Sequence, residues 1–250
     1  MDGAGTDCNH IAERQPHNMT SKKPITFHFV TLFPEAFESY FKTSIIGRAI
    51  REKKIRVKFY NPRDFTAKRA QEGSLLTKNK WKRVDQRPYG GGPGMVLEAE
   101  SVIKAAIKAI GKNAHAVVYF FDRSGEPFTN ADARKIANKA KHIVYICGHY
   151  EGVDARVQKI LKAKKISIGP YTLTGGELPA MAVTDAVSRQ VPGVLGTFES
   201  IEEERVASSE VYTRPEVLVW KGKKYRVPKV LLSGHHKKIN TWRSRTNKGY

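Results

Sequence analysis

Apolar positions along this chain switch between two periods, and the switches mark out its elements. Ile25, Phe27 and Phe29 alternate with polar residues, so 25–31 is predicted to be a first strand. Pro34 starts a short helix over 34–41, and a second follows at about 45–52. Residues 55–60 form a second strand with Val57 and Phe59 on one face. Val102, Ala105, Ala106 and Ala109 fall at helical spacing within 98–110. Residues 116–121 are almost continuously apolar, as expected of a strand covered on both faces. A helix capped by Thr129, with Asp132 in its first turn, comes next. Residues 143–147 make another buried strand, 154–163 a helix, 165–168 a strand and 177–190 a helix. This alternation predicts an α/β fold built on a parallel, doubly covered sheet.

Elsewhere the periodicity fails. Residues 66–83 have no clean period and many Lys and Arg, which predicts a mobile basic loop. Too many Gly and Pro occupy 87–94 for helix or strand. The pattern changes again from Val191, and the tail shows one clear helix, about 235–246. The expected division is a disordered leader at 1–24, a main domain at 25–190, a linker at 191–207 and a short C-terminal domain at 208–250. A length of 250 residues suits one large domain with such an appendage.

Charge sharpens this picture. The chain carries +20, concentrated in two segments, 47–87 and 214–250, that hold +10 each around a near-neutral middle. Clustered positive charge of this size points to a polyanion, most simply nucleic acid. No apolar run approaches the ~20 residues of a membrane span, and the leader has no apolar signal segment. With only two cysteines, Cys8 and Cys147, no disulfide framework or Cys-based metal site is expected, a reducing cytoplasm is the expected setting, and no membrane partner is expected.

Several chemistries lack their residues. There is no GxxxxGK[ST] for an NTP-hydrolysing loop and no GxGxxG for a dinucleotide. The His235-His236 pair has no carboxylate or thiol beside it, so no metal site is assigned. What stands out is SIGPYTLTGGELPAM at 167–181, a β-branched run, a Gly-Gly pair and a helix start. Thr174 and Glu177 have the spacing of a capping box, and Gly175-Gly176 lets a ligand approach the backbone.

Four further blocks accompany it: RPYGGGPGM at 87–95, CGHYEGVDARV at 147–157, DAVSRQVPGVLG at 185–196 and YTRPEVLVW at 212–220. In this order the five blocks strongly resemble the bacterial tRNA (guanine-N1)-methyltransferase family, TrmD, over about 25–245. The resemblance implies a SPOUT-class sheet with a C-terminal trefoil knot that holds S-adenosyl-L-methionine in a bent form. It implies a homodimer with each active site at the interface, and magnesium dependence. The implied substrate is tRNA, methylated at N1 of the guanosine immediately 3′ of the anticodon. Two other readings stay open at this point: a SPOUT enzyme acting on ribose or ribosomal RNA, and a non-catalytic tRNA-binding relative.

Carried over by position, the cofactor pocket would comprise Phe120, Phe121, Gly148, Tyr150, Glu151, Gly152, Ile168, Gly169, Pro170, Tyr171, Thr172, Leu173, Gly175, Gly176 and Pro179. Asp85, Arg87 and Gly94 match positions tied to tRNA, and Arg243 and Arg245 lie in the basic tail. Arg189 matches the arginine that stabilises negative charge on the guanine oxygen. Guanine N1 holds a proton at neutral pH, so the reaction also needs a base. Ungapped extension from Gly196 puts Glu204 where the family has an aspartate, one methylene (roughly 1.5 Å) longer in reach. Glu202 and Glu203 compete for that role.

The chain departs from the family pattern in places. Pro170 replaces a common aspartate, His149 a common arginine, and Asp122-Arg123 a common Ser-Pro. The C-terminal domain is expected to be truncated, with its basic charge gripping phosphates through counterion release. Trp81, Trp220 and Trp242 are candidates for stacking on exposed bases, though tryptophans more often pack inside.

Overall fold

Strand β1 (Ile25–Val30) lies inside a five-stranded sheet, paired in parallel with β2 (Ile55–Tyr60) on one side and β6 (His142–Ile146) on the other. This computed structural model describes residues 24–66, 83–113, 115–195 and 210–246, without the side chains of 245 and 246. The expected leader, the basic loop beyond Thr66 and most of the linker, including Glu202, Glu203 and Glu204, lie outside the described residues. Strand β5 (Val117–Pro127) continues the sheet beyond β6, and β7 (Lys164–Ser167) closes it, giving the order β2-β1-β6-β5-β7. All these pairings are parallel, as the alternation of periods predicted.

Helices cover both faces. On one face Phe27, Phe29, Tyr119, Ile143 and Tyr145 pack with α1 (Glu38–Lys42), α2 (Ser44–Arg51), α4 (Asn130–Lys139) and α6 (Glu177–Arg189). Phe29 centres an aromatic group there, 4.7 Å from Phe37, 5.3 Å from Phe59 and 5.4 Å from Tyr145 between ring centroids. On the other face Val30, Val118, Val144 and Ile146 pack with α3 (Ala99–Ile110) and α5 (Ala155–Leu161). The polar positions of β1 are therefore buried as well. His28 is satisfied in place by the Tyr60 hydroxyl and the His142 ring, each at 3.1 Å.

Local signals explain several boundaries. Thr129 and Asp132 form the expected capping box of α4, each satisfying the other's backbone amide. The segment 34–41 divides into a 3-10 turn (Pro34–Phe37) and α1, because Pro34 fixes the first turn without needing a donor. Strand β5 runs past the predicted 121, and its pairing with β7 shifts register between Phe121 and Glu126. Short strands β3 (Asp85–Gln86) and β4 (Val96–Leu97) flank the Gly/Pro block as an antiparallel pair.

The tail corrects the expectation of a single helix. It holds a hairpin of β8 (Val217–Trp220) and β9 (Lys223–Arg226), then α7 (Lys229–Leu232) and α8 (His236–Thr246). The hairpin escapes periodicity because neither of its faces is buried, so no apolar/polar alternation was required of it. Among the described residues no helix is long and apolar enough to cross a membrane.

Candidate functional site

A cavity of about 280 Å³ opens at the carboxyl ends of β5, β6 and β7, where parallel sheets commonly bind ligands. Three segments build it. Phe120 and Phe121 come from β5, residues 148–152 follow β6, and residues 167–176 run from β7 to α6. Of the fifteen residues expected to hold the cofactor, only Pro170, which is exposed, is absent from the lining. Asp122, Arg123, His149, Ser167 and Thr174 line the cavity as well. Asp122, His149, Ser167 and Thr174 each adjoin an expected residue in sequence, and Asp122-Arg123 and His149 are positions where the chain departs from the family pattern.

The two loops are stitched together by main-chain contacts. Gly176 N–H donates to the Gly148 carbonyl at 2.9 Å, and His149 and Gly175 form an antiparallel bridge. Gly176 has no alternative here, since a Cβ would stand 2.6 Å from the Cys147 Cα. The Ser167 hydroxyl donates to the Gly169 carbonyl at 2.9 Å, and Tyr171 donates to the Ile168 carbonyl at 3.1 Å. The loop thus holds its shape before any ligand arrives.

The expected Thr174–Glu177 capping box does not form. Gly176 is the N-cap of α6 and no side chain caps it, while Thr174 is exposed. Glu177 instead turns inward, accepting a 2.7 Å hydrogen bond from the Thr31 hydroxyl and standing 3.5 Å from the His149 ring. The reason is tertiary: Glu177 is itself buried, and the buried Thr31 hydroxyl at the end of β1 is within its reach, whereas Thr174 is exposed. The His149 ring also packs against Phe33, tilted by 57° with centroids 4.7 Å apart. Burial and the nearby Glu177 charge push the Cys147 thiol well above its ordinary pKa.

At the cavity's outer side, Asp122 accepts from the Ser124 amide (2.8 Å) and hydroxyl (2.7 Å) and pairs with Lys165 at 3.2 Å. These contacts, the Ser124 bonds foremost, hold its carboxyl below the usual range. The Gly/Pro block reaches the same rim. Glu151 N–H donates to the Met95 carbonyl and Leu97 N–H to the Gly152 carbonyl, both at 3.0 Å. Gly94, at φ +81°, packs against Glu151 so tightly that a Cβ would meet Cγ at 2.5 Å.

The remaining expected residues are placed differently. Asp85 lies in β3 and pairs with Arg83 at 3.2 Å, whereas Arg87 is exposed. Arg189 ends α6, whose thirteen residues put it about 20 Å along the axis from Gly176. It does not line the cavity of its own chain. Arg243 sits on α8, next to Trp242, whose ring is 6.3 Å from Tyr212. Arg245 is on the same helix, its side chain outside the described set, and Glu204 is not described. Among the described residues no cluster of His, Cys, Asp or Glu is placed to hold a metal ion.

Comparison with known proteins identifies the family. The model of the family "tRNA (Guanine-1)-methyltransferase TrmD" matches residues 25–249. A tRNA (guanine-N(1)-)-methyltransferase of Buchnera aphidicola (Acyrthosiphon pisum) is 40% identical over 229 residues, covering 90% of each chain. The enzyme so named from Staphylococcus epidermidis is 43% identical over 219 residues, 86% of this chain and 82% of its own. That from Campylobacter jejuni subsp. doylei is 39% identical over 217 residues, covering 85% and 88%. With a matching family model over nearly all its length and relatives this similar, the chain belongs to the TrmD family of tRNA (guanine-1)-methyltransferases.

Proposed function

We propose that this protein methylates N1 of the guanosine immediately 3′ of the tRNA anticodon, using S-adenosyl-L-methionine. The observation that carries the reading is the cavity at the strand ends, whose lining includes fourteen of the fifteen residues expected to hold that cofactor. Its chemistry suits the cofactor. Phe120, Phe121, Ile168 and Leu173 offer an apolar bed for a purine, main-chain groups of 168–176 offer hydrogen bonds, and Glu151 and Asp122 offer negative charge toward a cationic end. When bound, the cofactor supplies an electrophilic methyl group.

The protein's own part is to prepare guanine N1. That nitrogen becomes nucleophilic only when its proton leaves, and a carboxylate within hydrogen-bond reach can take it. Glu204 is assigned this base role, with Arg189 opposing the negative charge that spreads to the guanine oxygen. The proton would pass from N1 to the Glu204 carboxylate, and the freed N1 electron pair would bond the methyl carbon as that carbon's bond to the cofactor sulfur breaks, the released pair staying on sulfur. Because Arg189 stands far from the cavity of its own chain, a homodimer that brings it to the partner's site completes the arrangement. Exposed apolar residues on or beside α6 and α1, Leu178 and Tyr40 among them, support such an interface.

The same reading divides the chain into a catalytic domain at 25–190, whose knotted C-terminal part would grip the cofactor, a linker at 191–207 and a basic tRNA-binding tail. It places the protein in the cytoplasm, where its substrate is. Labelled adenosylmethionine and a tRNA with guanosine after the anticodon test the activity, followed by nucleoside analysis of the product. N1-methylguanosine is expected; cofactor binding without methyl transfer, or methyl on ribose, overturns the assignment. Titrating magnesium in the same assay tests the dependence that the family resemblance implies.

A further inference from the structure

The hairpin formed by β8 and β9 is exposed at every strand position but Val217. Leu218, Trp220 and Tyr225 are 54%, 63% and 54% exposed. Its turn is Lys221-Gly222, with φ of 47° and 76°, the two positive values a type I′ hairpin turn requires. Register pairs Trp220 with Lys223 and Leu218 with Tyr225. Directly paired residues share a face, so Leu218, Trp220, Lys223 and Tyr225 stand together on one side. Neither Trp220 nor Tyr225 contacts another ring among the described residues, unlike Trp242, which packs near Tyr212.

A two-stranded hairpin that buries neither face is only marginally stable in water, so large exposed aromatics on it need a partner to justify them. Charge identifies the kind of partner. Lys221, Lys223, Lys224 and Arg226 lie on this hairpin, and Glu216 is the one acid in 214–250. A second copy of this hairpin would bring an equally positive surface to it, which is repulsive. An aromatic ring beside a lysine on one face instead fits an unpaired nucleotide, with the base on the ring and the phosphate at the ammonium.

We propose that the Trp220–Tyr225 face of this hairpin is a stacking platform for an unpaired base of a substrate RNA loop, with Lys223 at its phosphate. This rests on the reading of RNA as substrate, and adds a residue-level contact that reads unpaired structure rather than charge alone.

The test uses the full chain with an RNA stem-loop and a blunt duplex of equal length, titrated at several salt concentrations. Trp220→Ala and Tyr225→Ala should each weaken stem-loop binding about 10-fold while leaving the salt slope unchanged. Trp220→Phe should restore most of the affinity, and duplex binding should move little. Lys223→Ala should lower the slope by about one unit. Adenosylmethionine binding, measured alongside, should be equal in all variants and reports that they are folded. Stem-loop affinity unchanged in both aromatic variants overturns the proposal. So does Trp220→Ala impairing dimerisation or binding to anionic vesicles while RNA affinity holds. A wild-type chain that binds cofactor but no RNA would instead overturn the substrate reading beneath it.

Discussion

The Thr31 hydroxyl donates a buried 2.7 Å hydrogen bond to the Glu177 carboxylate, joining the end of the first strand to the first turn of α6. The contact spans 146 residues of sequence and ties the cofactor loop, which ends at Gly176, to the centre of the sheet. Thr31 also accepts from the Phe33 amide at 2.9 Å, and the Phe33 ring packs in a tilted contact against His149 across the same region.

Breaking this link should loosen the cavity from below. Thr31→Val leaves a buried carboxylate short of a donor, so a loss of about 1.5–3 kcal/mol in urea unfolding is expected. Adenosylmethionine affinity should fall with it, whereas substitution of the exposed Thr174 should leave both unchanged. A stability loss at Thr174 equal to that at Thr31 would mean that α6 is capped from its own loop after all.

Stability should depend on pH through His28. Burial first, then the His142 and Lys58 charges, lowers its pKa to about 4, and the His142 pKa is also lowered, mainly by burial. The unfolded chain therefore binds a proton that the folded chain refuses between about pH 6.5 and pH 4. Folding free energy should be full above that window and decline by about 2–3 kcal/mol as pH falls through it. Urea titrations at stepped pH read this directly; a flat profile across the window would contradict it.

Cys147 should be chemically silent while the protein is folded. Its thiol is buried and pushed well above its ordinary pKa, so almost no thiolate is present to react. In a Cys8→Ser background, iodoacetamide labelling followed by mass spectrometry should find Cys147 modified only after denaturant is added. Rapid labelling of the native protein would refute this.

Glu204→Gln removes the proposed base and should cut methyl transfer by about 100-fold or more, with adenosylmethionine affinity nearly unchanged. Arg189→Ala should act alike, because both groups are proposed to work on the guanine rather than on the cofactor. Glu204→Asp tests reach: retained turnover means that the shorter side chain also suffices. Loss of activity from Glu202→Gln or Glu203→Gln, with Glu204→Gln active, would move the base role along the linker.

The sequence by itself determined the main elements, the parallel sheet and, through the family resemblance, most of the cavity lining. Periodicity reports which faces are buried, and the five blocks carry main-chain geometry that only certain residues permit, as at Gly176 against Cys147. Local signals such as the Thr129–Asp132 box could be read because their partners are three residues apart. Tertiary structure alone decided where Glu177 points, since its partner Thr31 is distant in sequence and the local capping pattern suggested otherwise. It alone showed that Gly94 presses on Glu151, bringing the Gly/Pro block to the cavity rim, and that Arg189 ends its helix far from that cavity. The exposed β8–β9 hairpin also came only from the fold, because an element that buries nothing writes no period into its sequence.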